Sequence, residues 1–197
     1  MRRRQMETRV VPVVTAALVA ANIVAYVIER AAIATGGDPC NAYGLVPAHF
    51  EFGTVFTSMF MHDPSNLVHI VGNMIALAFF GTMVERMLGS ARFMLLYVAA
   101  GIGGALVHVI VDWAATTPLV GASGSILGVM AACAMLRPRA LAFVASYFAF
   151  NLLALVLPDS TFAMHGVALG AHVGGFCVGA VFVVFARPAR GRVLKPA

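Results

Sequence analysis

The chain has 197 residues, of which 61% are hydrophobic and only 11% are charged. Soluble domains carry about 25% charged residues, so this composition excludes a soluble globular protein and predicts an integral membrane protein surrounded by the lipid bilayer. The net charge of +5 does not indicate a nucleic-acid partner. The basic residues lie in short clusters at the ends of apolar runs, which is the pattern of membrane topology signals.

Apolar runs divide the chain into six predicted membrane spans, since roughly 20 apolar residues cross a bilayer as a helix. The first run exceeds the ~7–15 apolar residues of a signal peptide, so we expect it to be retained as a span. We predict an all-α membrane protein of six transmembrane helices, forming one domain over residues 1–197. The connection 29–66 is predicted to be an interfacial first loop. The approximate spans are 10–28, 67–84, 93–111, 119–136, 140–157 and 163–186.

The positions of the basic residues predict the orientation of these spans. With six spans, one side of the membrane carries both termini and all but one of the 13 Lys and Arg residues. The exception is Arg30, next to Glu29 at the far end of span 1. Positive residues favour the cytoplasmic side, so both termini are predicted to be cytoplasmic, and the Ala, Val, Gly and Arg content favours a prokaryotic plasma membrane. The basic residues on this side are Arg2, Arg3, Arg4, Arg9, Arg86, Arg92, Arg137, Arg139, Arg187, Arg190, Arg192 and Lys195.

Few polar side chains lie within the predicted spans, and such residues are costly in lipid and are functional candidates by default. Span 2 contains His69 and Asn73, which are four residues apart and so share a helix face. Span 4 begins with Gly-Ala-Ser-Gly, in which the serine is Ser123, and span 6 contains His172. At ~1.5 Å per residue, Ser123 is predicted about 6 Å into its span, His69 and Asn73 about 3–9 Å, and His172 about 13 Å. All four can therefore meet in the outer half of the membrane.

Glycines on spans 4 and 6 provide the lateral contact that a shared site requires. Two helix backbones approach closely only where their side chains are small, and each of these spans carries a GxxxG pair. We predict that the contact brings Ser123 within hydrogen-bond reach of His172. The glycines assigned to helix packing are Gly121, Gly124 and Gly128 of span 4 and Gly175 and Gly179 of span 6.

These residue types are the ones that a serine-protease reaction needs. A serine hydroxyl is a good nucleophile only when a base accepts its proton, and His172 can accept that proton and later donate it to the leaving amine. No acidic residue lies in span 4 or span 6 at this depth, so a Ser123–His172 dyad is predicted rather than a triad. His69, Asn73 and the backbone N–H of Ser123, near a helix N-terminus, are candidate donors of an oxyanion hole.

Each of these residues alone has a simpler explanation. An isolated intramembrane serine usually bonds to a carbonyl of its own helix, and a lone histidine can form an interhelical bond or relay protons. The combination, with matching depths, is what favours catalysis.

The same residues resemble the motifs of the rhomboid family, and the resemblance extends over roughly residues 50–180. By this resemblance Ser123 is the nucleophile, His172 is the general base, and His69 with Asn73 forms the oxyanion hole. His62 is similar to a family histidine near the membrane surface. The matching motifs are H-x-x-x-N at His69–Asn73, G-x-S-G at Gly121–Gly124 and A-H-x-x-G-x-x-x-G at Ala171–Gly179.

The resemblance implies a rhomboid-like bundle without a cofactor or a metal. Its implied activity is hydrolysis of a peptide bond in or next to the transmembrane segment of single-span membrane proteins, near the outer face of the bilayer. Two positions depart from the family pattern. Gly53-Thr54 stands in place of a common Trp-Arg pair in the first loop, and Leu127 stands where an aromatic residue commonly stacks on the catalytic histidine.

Two other classes of function remain open. An inactive rhomboid-like protein could bind membrane helices without cutting them, although such relatives lose the serine or the histidine that this chain retains. A small transporter could use intramembrane histidines, but transporters commonly contain internal repeats and none is evident. The six histidines show no HExxH motif, and Cys40, Cys133 and Cys177 have no paired spacing, so neither a metal site nor a disulfide is predicted.

Overall fold

A computed structural model describes residues 11–156 and 168–186 of the protein. Within these ranges every regular element is helical, and the only strand-like pairing is an isolated antiparallel bridge between Leu45 and Leu119. The predicted all-α class is therefore confirmed for the described part of the chain. The helices are α1 (Val13–Ala34), α2 (Pro39–Tyr43), α3 (Thr54–Thr57), α4 (Leu67–Ala76), α5 (Thr82–Leu88), α6 (Ser90–Val111), α7 (Ser123–Leu136), α8 (Pro138–Val156) and α9 (Leu169–Phe185), with a π-helical turn at Leu77–Gly81 and a 3₁₀ turn at Pro47–His49.

In the described part of the chain, three helices are long and apolar enough to cross a membrane. They are α1, the continuous helix Leu67–Leu88 that joins α4 to α5 through the π-helical turn, and α6; α7, α8 and α9 are apolar as well but shorter. Large apolar side chains on these helices face outward, among them Val24, Val71 and Ile110, and such a surface is suited to lipid.

The chain is therefore an integral membrane protein, while the count of six spans and the cytoplasmic side of the termini stay predictions. The basic clusters before α1 and after α9 lie outside the described residues. The same holds for the ends of three predicted spans, namely residues 10, 157 and 163–167.

The first loop begins later than predicted, because α1 continues to Ala34 instead of ending at residue 28. The last turns of α1 are bound to the chain just before α4. The Glu29 carboxylate accepts the His62 N–H at 3.0 and 3.2 Å, and Arg30 Nη1 donates to the Pro64 carbonyl at 2.9 Å. Arg30, the one basic residue predicted to lie on the non-cytoplasmic side, therefore has a hydrogen-bond partner in the first loop.

Helix α7 begins at Ser123, four residues later than the predicted start of span 4 at residue 119. The segment before it is extended, because it pairs with the first loop. Leu45 and Leu119 exchange two backbone hydrogen bonds of 3.1 and 2.8 Å, and the Gly121 N–H donates to the Ser58 carbonyl at 2.9 Å. Leu119, which was predicted to begin span 4, therefore belongs to the extended segment that packs against the first loop. The helix itself begins at Ser123.

The N-terminal end of α1 is held by Glu85 of α5. The Glu85 carboxylate accepts the N–H groups of Val14 at 3.0 Å and Thr15 at 2.7 Å. It also accepts the hydroxyls of Thr15 and Ser90, both at 2.7 Å. The first N–H groups of a helix have no partner within the helix, and a carboxylate placed there satisfies them and complements the helix dipole. Side chains therefore fix α1 near both of its ends.

Helix α7 lies at the centre of the protein, and its residues 124–134 are all buried. It meets α9 where glycines remove the side chains from the contact. A methyl group added at Gly175 would overlap the Gly124 carbonyl, and one added at Gly179 would overlap the Gly128 carbonyl. The two GxxxG pairs therefore meet backbone to backbone.

We expect Gly175→Ala and Gly179→Ala to destabilise the protein, because each added methyl group would have to displace the backbone of α7. Overpacking of this kind costs about 1–3 kcal/mol, to be measured as a lower midpoint of unfolding in detergent. Gly72→Ala is the matched control: its added methyl group meets no atom within 4 Å, and alanine favours a helix over glycine by about 1 kcal/mol. Equal midpoints for Gly175→Ala and Gly72→Ala would contradict the close packing.

Candidate active site

Ser123 is positioned by a glycine turn immediately before α7. Gly121 has a φ of +128°, a conformation that residues with side chains rarely adopt. A methyl group at Gly121 would lie 2.9 Å from His69 Nε2, and Ser123 Oγ lies 3.7 Å from the same point. The His69 ring and the Ser123 hydroxyl therefore border one small space, which is open because residue 121 is a glycine.

The start of α7 presents unpaired backbone donors beside this space. The first backbone bond of the helix runs from the Ile126 N–H to the Ala122 carbonyl at 3.0 Å, so the N–H groups of Ser123, Gly124 and Ser125 have no carbonyl of the helix as a partner. Ala122 provides no side-chain cap. The positive end of the helix dipole thus lies at Ser123 and favours negative charge there.

The backbones of α7 and α9 touch beside the two predicted catalytic residues. A methyl group at Gly124 would lie 3.2 Å from the Ala171 carbonyl oxygen. Gly124 follows Ser123 in the sequence and Ala171 precedes His172, so both side chains leave their helices next to this contact. Glycine contacts therefore bring the N-terminal end of α7 and the beginning of α9 together.

His172 is buried, with 5% of its surface exposed. Within the described residues its side chain forms one hydrogen bond, between Nδ1 and Asn151 Oδ1 of α8 at 2.5 Å. No hydrogen bond joins it to Ser123 among these residues. The predicted base and the predicted nucleophile thus lie on neighbouring stretches of backbone, and the hydrogen bond of the His172 side chain is to a third helix.

His69 is oriented by the segment that precedes α4. Its Nδ1 accepts the Asp63 N–H at 3.4 Å. A neutral imidazole whose Nδ1 accepts a hydrogen bond carries its proton on Nε2, and Nε2 is the atom that borders the space at Gly121. This tautomer makes His69 a hydrogen-bond donor toward the space beside Ser123.

Asn73 is held by His62 of the first loop. Asn73 Nδ2 lies 3.2 Å from His62 Nε2, and His62 Nδ1 lies 3.2 Å from the Phe60 carbonyl oxygen. The carbonyl can only accept, so His62 Nδ1 carries the proton and Nε2 accepts from the amide of Asn73. The second N–H of that amide is left for another acceptor.

His62 itself is completely buried. Burial lowers the pKa of the His62 imidazole to about 4, and the neighbouring His69 contributes in the same direction. The two rings lie with their centroids 5.2 Å apart. His62 is therefore neutral at physiological pH, which is the state that its two hydrogen bonds require.

Asn151, which supplies the hydrogen bond to His172, was not among the site residues predicted from the sequence. The signal was present, because Asn151 is a polar residue inside an apolar span and lies toward the same end of the bundle as the other polar groups. Its partner could not be identified without the packing of α8 on α9. Among the described residues, no three His, Cys, Asp or Glu side chains are grouped so that they could hold a metal ion.

Comparison with known proteins identifies the class to which this helical bundle and its polar cluster belong. A family model described as the Rhomboid domain matches residues 49–189. The chain therefore belongs to the rhomboid family.

Three relatives illustrate the extent of the similarity. Rhomboid protease GluP of Bacillus subtilis (strain 168) is 30% identical over 134 residues, which cover 67% of this chain and 25% of GluP. RHOMBOID-like protein 12, mitochondrial, of Arabidopsis thaliana is 32% identical over 162 residues, covering 71% of this chain and 47% of that protein. RHOMBOID-like protein 1 of Arabidopsis thaliana is 31% identical over 153 residues, covering 72% and 36% of the two chains. The chain thus spans less than half the length of each of these relatives.

The buried neutral state of His62 predicts a pH-dependent stability. An unfolded histidine has a pKa of about 6.5, so the unfolded chain binds more protons than the folded protein between pH 6.5 and 4, and stability falls as the pH decreases through this range. For His62 alone the loss between pH 7 and pH 5 is about 2 kcal/mol.

Unfolding midpoints in detergent at pH 7 and pH 5 measure this contribution. We expect the wild type to lose more stability between the two values than His62→Gln, whose side chain does not titrate. His49→Gln, a substitution of an exposed histidine, serves as the control and should follow the wild type. The same pH dependence in the wild type and in His62→Gln would refute the lowered pKa of His62 as a source of this pH dependence.

Proposed function

We propose that this rhomboid-family protein is an intramembrane serine endopeptidase with Ser123 and His172 as its catalytic dyad. The observation that carries the proposal is the backbone contact of Gly124 with Ala171, because it puts the residues next to it, a helix-terminal serine and a buried histidine, on adjoining helices. One relative, GluP, is named a rhomboid protease, which supports the reaction class.

In the proposed reaction His172 Nε2 accepts the proton of Ser123 Oγ as the oxygen attacks the carbonyl carbon of the scissile peptide bond. The imidazolium then donates this proton to the leaving amine nitrogen, the C–N bond breaks, and an ester forms on Ser123. A water molecule, deprotonated by the same nitrogen, hydrolyses the ester and restores the serine. A side-chain rotation must first bring Oγ and Nε2 together, since they are not hydrogen-bonded in this state.

The oxyanion of the tetrahedral intermediate would be stabilised by three donors from two helices. His69 contributes Nε2–H, Asn73 contributes the N–H of its amide that does not bind His62, and α7 contributes the unpaired N–H of Ser123. Donors that are already oriented cost no reorganisation when charge develops, and this is often the largest contribution to catalysis.

We further propose that the substrates are single-span membrane proteins of a prokaryotic plasma membrane. The protein would cross this membrane six times with both termini in the cytoplasm, and it would cut near the outer face. Peptide carbonyls in a membrane helix are bound within the helix, so the substrate segment must unwind before Ser123 can attack. Cofactors play no part in this chemistry.

Ser123→Ala and His172→Ala are each expected to abolish two activities of the purified protein in detergent: labelling by a fluorophosphonate probe and cleavage of a model single-span substrate. The reason is that the first variant lacks the attacking oxygen and the second lacks the base. The matched control is Ser146→Ala, because Ser146 is exposed and its hydroxyl donates only to the Ala142 carbonyl of its own helix at 2.9 Å. Robust labelling of Ser123→Ala would refute the proposal, and substrate binding by the wild type without cleavage would favour an inactive helix-binding protein.

His69→Ala and Asn73→Ala are expected to lower kcat by about 10²–10³-fold each, which is the effect of removing one oxyanion donor. KM should change little, because these donors act on charge that develops only after attack. Steady-state cleavage of the same model substrate measures both constants. A rise in KM at unchanged kcat would assign the two residues to substrate binding instead.

A further inference from the structure

Asn151 is an unusual residue for its position. It lies in the apolar helix α8 and its side chain is fully buried. A buried amide in a membrane helix is costly unless its donors and acceptors are bonded. Both ends of the Asn151 amide are bonded, one to its own helix and one to His172.

The bond to its own helix fixes the direction of the amide. Asn151 Nδ2 donates to the Tyr147 carbonyl at 2.8 Å. The opposite assignment would place Oδ1 against that carbonyl, where two acceptors would face each other. Oδ1 is therefore the atom that faces His172 Nδ1 at 2.5 Å.

The direction of the amide in turn fixes the tautomer of His172. Asn151 Oδ1 can only accept a hydrogen bond, so His172 Nδ1 must carry a proton and donate it. In the neutral imidazole the unprotonated nitrogen is then Nε2, the only atom that can act as a base. The other tautomer would put the basic nitrogen against an acceptor and would leave no base for Ser123.

Aromatic packing between α8 and α9 fixes the position of Asn151 relative to His172. Phe148 of α8 and Phe176 of α9 stack with ring centroids 3.8 Å apart and an angle of 16° between the rings. Phe148 precedes Asn151 by three residues and Phe176 follows His172 by four, so the aromatic pair lies one turn along the same antiparallel interface. Rotation of α8 that would withdraw Asn151 would also separate these rings.

We infer that Asn151 is a positioning residue of the active site, which holds His172 in the tautomer and orientation that present Nε2 as the base. The inference rests on the proposed function. Asn151 would also stabilise the imidazolium, because its oxygen accepts the Nδ1–H of the charged ring. The site would then be a Ser–His–Asn arrangement built from α7, α9 and α8, in which the third member makes no contact with the substrate.

Two substitutions separate this role from a merely structural bond between helices. Asn151→Leu keeps the size of the side chain and removes the acceptor. Asn151→Asp keeps an oxygen that accepts from His172 Nδ1 but loses the donor to the Tyr147 carbonyl. Ser146→Ala is the control on the same helix, since it removes a side-chain bond to a backbone carbonyl without any link to His172.

The experiment measures kcat and KM for a fluorescent single-span model substrate in vesicles of phosphatidylethanolamine and phosphatidylglycerol. At metal sites, loss of the hydrogen-bond partner that orients a histidine typically costs about 10–100-fold in activity, and we take the same range for Asn151. We expect a fall of this size in kcat for Asn151→Leu at unchanged KM, with kcat of Asn151→Asp restored to within tenfold of the wild type. Ser146→Ala should match the wild type.

The outcomes of this experiment are distinct. Wild-type kcat in Asn151→Leu, or equal loss in Asn151→Leu and Asn151→Asp, would overturn the positioning role and leave the proposed protease function intact. If the wild type and Ser146→Ala also fail to cleave, the protease function itself is overturned, and the inference with it. If Asn151→Leu fails to fold, Asn151→Ser takes its place in the comparison of kcat values. The serine hydroxyl is too short to replace the amide oxygen, so the same fall in kcat is expected.

Discussion

The contact between the backbones of α7 and α9 is the interaction on which the rest of the site depends. Lipid tails are as apolar as the helix surfaces, so membrane helices associate through close packing and hydrogen bonds rather than through the hydrophobic effect. Gly124 and Gly128 meet Gly175 and Gly179 with no side chain between them. The separation of these two helices decides whether a serine on one can reach a histidine on the other. A side chain added at Gly175 or Gly179 would fit only if the backbone of α7 moved.

The first loop completes the site from outside the bundle. It pairs with the extended segment before α7, binds the Gly121 N–H, and supplies His62, which holds Asn73. The loop is held in turn by Glu29 and Arg30 at the end of α1. A continuous series of contacts therefore runs from α1 through the loop to α4 and α7, and it links polar residues far from Ser123 to the candidate oxyanion donors beside it. Glu85 anchors the opposite end of α1, so the helix that supports the loop is itself fixed.

Much of this arrangement could be predicted from the sequence, because its determinants are local. The helical class follows from apolar runs, and the glycine spacing shows where two helices can approach. The start of α7 could not be predicted, because Leu119 belongs to the same apolar run as the helix. Only the pairing of Leu119 with Leu45 shows that this part of the run is extended. The extension of α1 to Ala34 depends in the same way on bonds to residues 62–64. Asn151 could be recognised as a polar residue within an apolar span, but the group to which it bonds depends on how α8 packs on α9.

The choice of an amide beside His172 has a physical reason in the membrane. A carboxylate in that position would stabilise the imidazolium more strongly, but a buried charge must be compensated at all times, and its desolvation is severe in lipid. An amide oxygen accepts the same Nδ1–H bond and carries no net charge. The buried Leu127 on α7 offers no hydrogen bond at all, so among the described contacts the orientation of His172 depends on Asn151 and on the packing around it. Among the described residues no acidic side chain forms a hydrogen bond or an ion pair with the histidine. Under the proposed mechanism a neutral side chain performs the orienting role, at lower cost than a carboxylate in a medium of low dielectric constant.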